Sequence, residues 1–433
     1  MGLAFALILI GINSQAGWLF WLASMLLAAL LVSWLLSVFQ VRGLGVERAH
    51  KPEVVEDELL ETKLFVHNRG RLSRSLLEVI DSDPCRPQKR LQLRPPRKSI
   101  RELWRDPSPP LKPSPDRAGG QGAFLLPRLP GKTKTTITYT RGALRRGVYE
   151  DWPAFFYSEG VIGLARHASR INPSSRLVVF PSYAKLRYFP FVDSFFHPQY
   201  APRAVSFRGA GMDYYGVREY RAGDPLRHVH WRTTARRGQL AVKEFETEIG
   251  VPLLILVDNR AGTGAEVLDS AARLAASVAR YAHYAGHPVT LACYKGRELE
   301  LLQIPTFRAA LQWLAALSAE SRLAPEEQAK GLEGRVRGGC FFCHILPAAP
   351  FDADRLAAAL PPHSQAALIL IDLPSHQKHK ASPSIASEAM VEGLLSSPFP
   401  GLFSVSLYRK GDDLRECLES SLITCAGSRS LEI

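Results

Sequence analysis

An apolar run from Trp18 to Phe39, free of charged residues, constrains this chain more than any other feature. A run of this length matches the ~20 residues a helix needs to cross the ~30 Å hydrocarbon core of a bilayer, where a helix satisfies its own backbone. A shorter apolar run, Leu3 to Ile12, precedes it across the turn-like segment Asn13-Ser14-Gln15-Ala16-Gly17. Residues 1–41 therefore read either as a transmembrane hairpin or as a single anchor with a lumenal N-terminus. A cleavable signal peptide fits poorly: no basic residue precedes the first run, and no small-x-small cleavage pattern ends the second. Arg42, Arg48 and Lys51 follow directly. The positive-inside rule then predicts an inner (cytoplasmic) membrane protein whose soluble domains face the cytoplasm.

The 433 residues allow two or three domains, and a formal charge of +13 suits an anionic leaflet or an acidic protein partner. Nucleic acid is an unlikely partner, since no helix-turn-helix, zinc-finger or stacking-aromatic pattern accompanies the charge. The six cysteines are dispersed except for Cys340 and Cys343. With His344 these match a haem-attachment pattern, but the run CFFCHILP reads as a buried strand, and the predicted topology opposes translocation. No second ligand pair completes a zinc site.

Residues 50–182 show short strands broken by turns, the pattern of a β-sandwich-like domain. A Pro/Arg-rich insertion, 84–122, interrupts it and reads as an extended basic loop that either stays solvated or docks lipid or a partner. From 249 to 433 strands and helices alternate. Val251–Val257 reads as a buried strand; Leu268, Ala271, Leu274, Ala275, Val278 and Ala282 share one face of a helix over Ala265–Ala285, which Gly286 ends. The fold class expected is α+β multidomain: N-terminal transmembrane segment(s), a β-sandwich-like half, then a doubly wound α/β half. Asp258 and Asp372 end two of its strands, where such sheets form their ligand crevice. They are the candidate acids for a divalent cation, and the alternative function is a metal-dependent binder or hydrolase using that crevice.

Between these halves, residues 205–248 hold a dense block, with GMDYYGVREYRAGDPLRHVHWRTTARRGQLAVKEFETE at 211–248. Gly223-Asp224-Pro225 reads as a turn into a helix, with Asp224 capping free N–H groups and Pro225 at the first helical position. Trp231 is expected to be buried where the two halves meet. The arginines read as an ion-pair lattice around it or as an anion site. His228 or His230 beside Asp224 would be the general base of an enzyme, but an i, i+2 histidine pair is ordinarily structural. No nucleophile elbow, phosphate loop, zinc-protease helix or dinucleotide fingerprint occurs in the chain, so no enzyme is expected.

The block resembles the signature of the bacterial family called domain of unknown function 58 (DUF 58). The matching positions are Gly211, Val217-Arg218, Tyr220, Gly223-Asp224, Arg227, Val229, Trp231, Thr234-Ala235-Arg236, Gly238 and Leu240. Arg218, Tyr220, Gly223, Asp224, Arg227, Trp231 and Arg236 are thereby marked as structural or partner-binding residues. Weaker likeness extends to Arg146-Gly147-Val148-Tyr149 and to Gly160-Val161-Ile162-Gly163-Leu164, with Glu159-Gly160 where the family has Asp-Pro. The second half resembles a von Willebrand factor type A domain, which that family commonly carries. That domain's magnesium motif, D-x-S-x-S, is here Asp258-Asn259-Arg260-Ala261-Gly262, with Arg260 and Gly262 at the serine positions. No cofactor or metal is therefore expected. Members of the similar family are often encoded beside MoxR-type AAA+ ATPases and transglutaminase-like membrane proteins. The resemblance thus implies a membrane-anchored binding and assembly protein, partnering such an ATPase in complex assembly or maturation.

Overall fold

The computed structural model describes residues 2–14, 17–85, 122–142, 144–159, 163–193, 207–209, 213–220, 229–247, 252–335, 340–360, 364–376, 385–396, 401–420 and 422–423. Most of the basic insertion and much of the signature block, including Gly223, Asp224 and Arg227, lie outside them. The chain divides into two compact units, Met1–Phe180 and Pro181–Ile433.

The first unit begins with two helices that pack on each other, α1 (Gly2–Ser14) and α2 (Gly17–Val41). Among the described residues α2 alone is long and apolar enough to cross a membrane. Its first half buries Leu19 and Ala23; its last turns bury Ser33, Ser37, Gln40 and Val41. The rest of its surface, including Trp18, Trp21, Met25, Leu31 and Trp34, is exposed and apolar. The buried polar stripe is bonded to the β-structure that follows. Ser33 Oγ accepts from the N–H groups of Leu164 (3.2 Å) and Ala165 (3.0 Å). Ser37 Oγ donates to Ala165 O (2.6 Å), and Gln40 Oε1 accepts from Ser75 N–H (2.9 Å).

Ten strands follow among the described residues: β1 (Leu44–His50), β2 (Glu53–Val55), β3 (Leu60–Asn68), β4 (Arg74–Asp81), β5 (Gly122–Leu129), β6 (Lys134–Arg141), β7 (Gly147–Glu150), β8 (Ala154–Ser158), β9 (His167–Ile171) and β10 (Arg176–Phe180). They form sheets of order β1-β3-β6, β5-β4-β8-β9 and β2-β10-β7. Period-two patterning explains the pairing: β3 turns Leu60, Thr62, Leu64 and Val66 inward and leaves Glu61 and Lys63 in water. One apolar core joins the first two sheets, with Leu64, Val66 and Ile137 from one and Leu77, Val79, Phe124 and Phe156 from the other.

Within this apolar unit sits a wholly buried charge cluster. Asp81 at the end of β4 ion-pairs with Arg48 of β1 and lies 3.3 Å from Arg141 Nη2 of β6. The Tyr139 hydroxyl also donates to it. Arg48 reaches Ser175 Oγ (2.7 Å) and stacks 4.1 Å over Trp152, while Arg141 Nη1 donates to Ser82 O (2.6 Å). Burial, with the Asp81 charge adding to it, pushes the Tyr139 phenol well above its usual range. The cluster ties β1, β4 and β6 to the loops before β8 and β10.

In the second unit, β11 (Phe207–Gly209), β12 (Asp213–Glu219) and β13 (Ala241–Thr247) form an antiparallel sheet of order β11-β13-β12. A larger sheet holds β14 (Leu253–Val257), β15 (Val289–Lys295), β16 (Glu298–Gln303), β17 (Phe341–Pro347), β18 (Gln365–Ile371), β19 (Leu402–Tyr408) and β20 (Leu422–Ile423). Its order is β16-β15-β14-β17-β18-β19-β20, parallel from β15 to β19 and antiparallel at both edges. The helix Ala265–Tyr284 buries the whole face expected of it and ends before Gly286 at φ 87°. Thr306 and Asp352 cap later helices by accepting from Ala309 N–H (3.3 Å) and Arg355 N–H (3.0 Å).

Asp81→Asn tests the charge cluster. Removing the carboxylate charge leaves the Arg48 guanidinium out of water without its ion-pair partner and Arg141 with only Asp83, at 4.0 Å, a loss of about 3–5 kcal/mol. Ser175→Ala removes the hydroxyl that meets the Arg48 guanidinium and Pro173 O and should cost less, about 1.5–3 kcal/mol. Urea unfolding of both variants in detergent checks the ranking, and equal effects would show that Asp81 is not the cluster's centre.

Candidate functional site

Numbered in chain order, the strands from β16 to β19 run 3-2-1-4-5-6. In a doubly wound sheet of that order, the strand direction of travel reverses between the first strand and the fourth, and the crevice opens at their carboxyl ends. Here those strands are β14 and β17, which pair in parallel with Leu256 opposite His344.

Asp258 follows β14 directly and is 1% exposed. Its Oδ2 meets Arg260 Nε at 2.8 Å, and its Oδ1 accepts from Gln328 Nε2 (3.0 Å) and Arg260 N–H (3.1 Å). Burial pushes the carboxyl above its ordinary value, against the pull of Arg260 and Gln328. Asn259 stitches the same turn to β15 and to the loop after the helix Phe307–Ala316: its Nδ2 donates to Tyr294 O (2.9 Å) and Ser318 O (2.8 Å). The positions that would feed a cation are therefore held by the chain's own donors. Arg260 puts a positive charge on the one carboxylate of this turn, so the donor set does not fit a divalent ion.

Asp372, after β18, is also committed. Its Oδ1 accepts from Ser387 Oγ (2.6 Å) and its Oδ2 from Ser375 N–H (3.0 Å), while its carbonyl meets His376 Nδ1 at 2.9 Å. It lies two strands from Asp258, about 10 Å across the sheet. Among the described residues no group of three His, Cys, Asp or Glu side chains is placed to hold a metal.

Sequence reasoning missed Gln328 and misplaced the interest of His344. Cys343 and His344 are fully buried on β17, so neither is open to haem attachment. Burial raises the Cys343 thiol to about 12. Among the described residues, neither ring nitrogen of His344 has a hydrogen-bond partner, nor does Gln328 Oε1. Burial, with the Arg260 charge adding to it, lowers His344 to about 3, which keeps the ring neutral.

The signature block divides differently from expectation. Arg218 lies on β12, paired in register with Val242, and Tyr220 follows it with its N–H on Leu240 O (2.9 Å). The helix here is Trp231–Arg237, capped by His230, whose Nδ1 accepts from Thr233 N–H (3.2 Å). Gly238 closes it at φ 70°, and Thr234 Oγ1 accepts from Ala241 N–H (3.1 Å). Trp231 is not buried: it is 66% exposed, and no residue of this helix is buried. The expectation of a core indole fails because one turn onward stand Thr234 and Ala235, with Arg232, Arg236 and Arg237 around them, and no apolar stripe forms.

Residues 216–335 match the family described as protein of unknown function DUF58. The match runs from β12 through the signature helix, β14 and the Asp258 turn to Arg335, just past Gln328. No match was found among curated proteins. Among solved structures, the CARDB domain of a Pyrococcus furiosus protein in complex with di-metal ions is 12% identical, covering 31% of this chain and 86% of that one at a TM-score of 0.18. The GH20 exo-β-N-acetylglucosaminidase of Vibrio harveyi is 10% identical, covering 81% of this chain and 60% of that one, also at 0.18. Likeness at that level carries no argument about fold or chemistry.

His344 gives the second unit a measurable pH signature. Its folded value of about 3 lies below its ordinary 6.5, so between those values the unfolded chain holds a proton that the folded one does not. Stability therefore falls as pH drops through that window, by about 1.4 kcal/mol per unit. His344→Leu should remove this slope and gain about 1.4 kcal/mol on the parent at pH 5.5 beyond any gain at pH 8. Urea unfolding across pH decides it, and parallel profiles would show that the folded ring is already protonated.

Proposed function

We propose that this chain is a membrane-anchored binding and assembly component, and that it docks its partner through the short helix Trp231–Arg237. The observation that carries the reading is an indole standing in water among the exposed Arg232, Arg236 and Arg237. Tryptophan and arginine dominate interface hot spots, and nothing within this helix buries them. The guanidinium groups favour an acidic partner. The family resemblance points to a MoxR-type AAA+ ATPase working beside a transglutaminase-like membrane protein.

Two further features support a binding role over an enzymatic one. The crevice acids Asp258 and Asp372 are engaged by Arg260, Gln328, Ser375 and Ser387. The strand order and the turn after the first strand also favour a degenerate von Willebrand factor type A-like half, which keeps the crevice's position while an ion pair fills it. The apolar α2 and the basic residues after it favour an inner-membrane anchor with both units on the cytoplasmic side.

Crosslinked capture from membranes, read by mass spectrometry, should recover an AAA+ ATPase. Trp231→Ala should weaken that capture by about 2 kcal/mol, roughly thirtyfold, as for an interface hot spot. Its unfolding free energy should stay within about 0.5 kcal/mol of the parent's, as for a surface change. Undiminished capture, or a large loss of stability, would return Trp231 to a structural role. A reporter fused after Ile433 should behave as cytoplasmic; alkaline phosphatase activity from that fusion would reverse the orientation.

A further inference from the structure

The bonds between α2 and the bend at Leu164 fix how deep the first unit can sit. This step rests on the proposal that α2 crosses a bilayer. The part of α2 before its docked turns, Gly17–Val32, is about 24 Å long at ~1.5 Å per residue, and tilt only shortens its reach. A hydrocarbon core of about 30 Å therefore takes in the next turn as well, Ser33 to about Leu36. Ser33 does not reach that depth alone, because it holds the backbone of Leu164 and Ala165 through two hydrogen bonds, and Ser37 holds Ala165 through a third.

We propose that the bend carrying Leu164 is wedged into the leaflet nearest the β-strands, its side chain among acyl chains. Three features fit that environment. The leucine is 54% exposed, and Trp34 and Leu35, which follow its partner Ser33 along the helix, are exposed too. The N–H groups of Leu164 and Ala165 and the carbonyl of Ala165 are bonded to Ser33 and Ser37, and backbone met by protein in this way is what is tolerated below the headgroups. Finally, exposed basic residues stand where phosphates would lie. Arg42 follows α2, and Arg69, whose N–H donates to Gly43 O (2.9 Å), carries the exposed Arg71 two residues on. Arg42 is about 14 Å along the helix axis from Ser33, so with the guanidinium groups at headgroup level Leu164 falls inside the hydrocarbon.

The test uses the full chain in phosphatidylethanolamine–phosphatidylglycerol vesicles, with Cys85→Ser, Cys417→Ser and Cys425→Ser to limit labelling to one added thiol. An environment-sensitive nitrobenzoxadiazole probe is attached in turn to Leu164→Cys, Leu31→Cys and Leu59→Cys. Leu31 reports the anchor. Leu59, 73% exposed, precedes the far end of β3, about 27 Å along the strand from Asn68 at ~3.4 Å per residue. Spin-labelled acyl chains should quench the probe at 31 and at 164 at least threefold more than at 59. Quenching at 31 with a water-like probe at 164 would overturn the wedge and leave the anchor standing. A water-like probe at 31 would overturn the anchor and the wedge together.

Discussion

Asp81 has no contact with water, and the first unit is assembled around the groups that answer it. Arg48, Arg141 and Tyr139 reach it from two strands of the facing sheet, and the same arginines continue to Ser175, Trp152 and Ser82. A buried carboxylate of this kind does little for net stability, because desolvation offsets most of the attraction. What it does is fix relative position. A slip of β1 against β3 by two residues would keep its alternating pattern yet carry Arg48 about 7 Å along the strand from Asp81, so the cluster excludes a register that the apolar pattern alone would tolerate.

The same rule governs the other places where polar groups leave water. Ser33, Ser37 and Gln40 would be poor choices on a helix facing only lipid, yet each meets backbone of the strands or bends beside it. Asp258 is met by Arg260 and Gln328, and Asp372 by Ser375 and Ser387. His344 follows another course: its ring nitrogens are met by no described residue, and it limits the cost by staying neutral, a state the charge on Arg260 reinforces.

The regular elements of the second unit were legible because their patterns are long and bounded. The continuous run at Leu253–Val257 and the small apolar face of Ala265–Tyr284 each carry a local signal. β16 and the helix Pro325–Lys330 were not legible. Glu298–Gln303 is an edge strand whose polar positions face outward, and PEEQAK is too short to show a period. Gln328 stayed hidden for the same reason, since its partner Asp258 is distant in sequence. Among the signature residues, Arg218 and Tyr220 were placed on the sheet edge by pairing rather than by their side chains. Trp231 departs from the seam position expected of it because its neighbours one turn on offer nothing apolar to bury it against.

That departure bears on how a signature should be interpreted. Within this block, Thr234, Gly238 and Val229 have structural reasons to be what they are: a hydroxyl on Ala241 N–H, a left-handed cap, and a buried bridge to Val242. Trp231 and Arg236 have none within the described residues, and both side chains are exposed. A helix needs its cap and its bridge whatever it does, whereas an exposed indole is retained at a cost in solubility that folding does not require. The division between the two kinds of residue is therefore a division between the frame and its working face. The frame keeps the crevice of a doubly wound sheet, but Arg260 and Gln328 occupy it, so on the proposed reading binding has moved from the end of the sheet to the helix that precedes it.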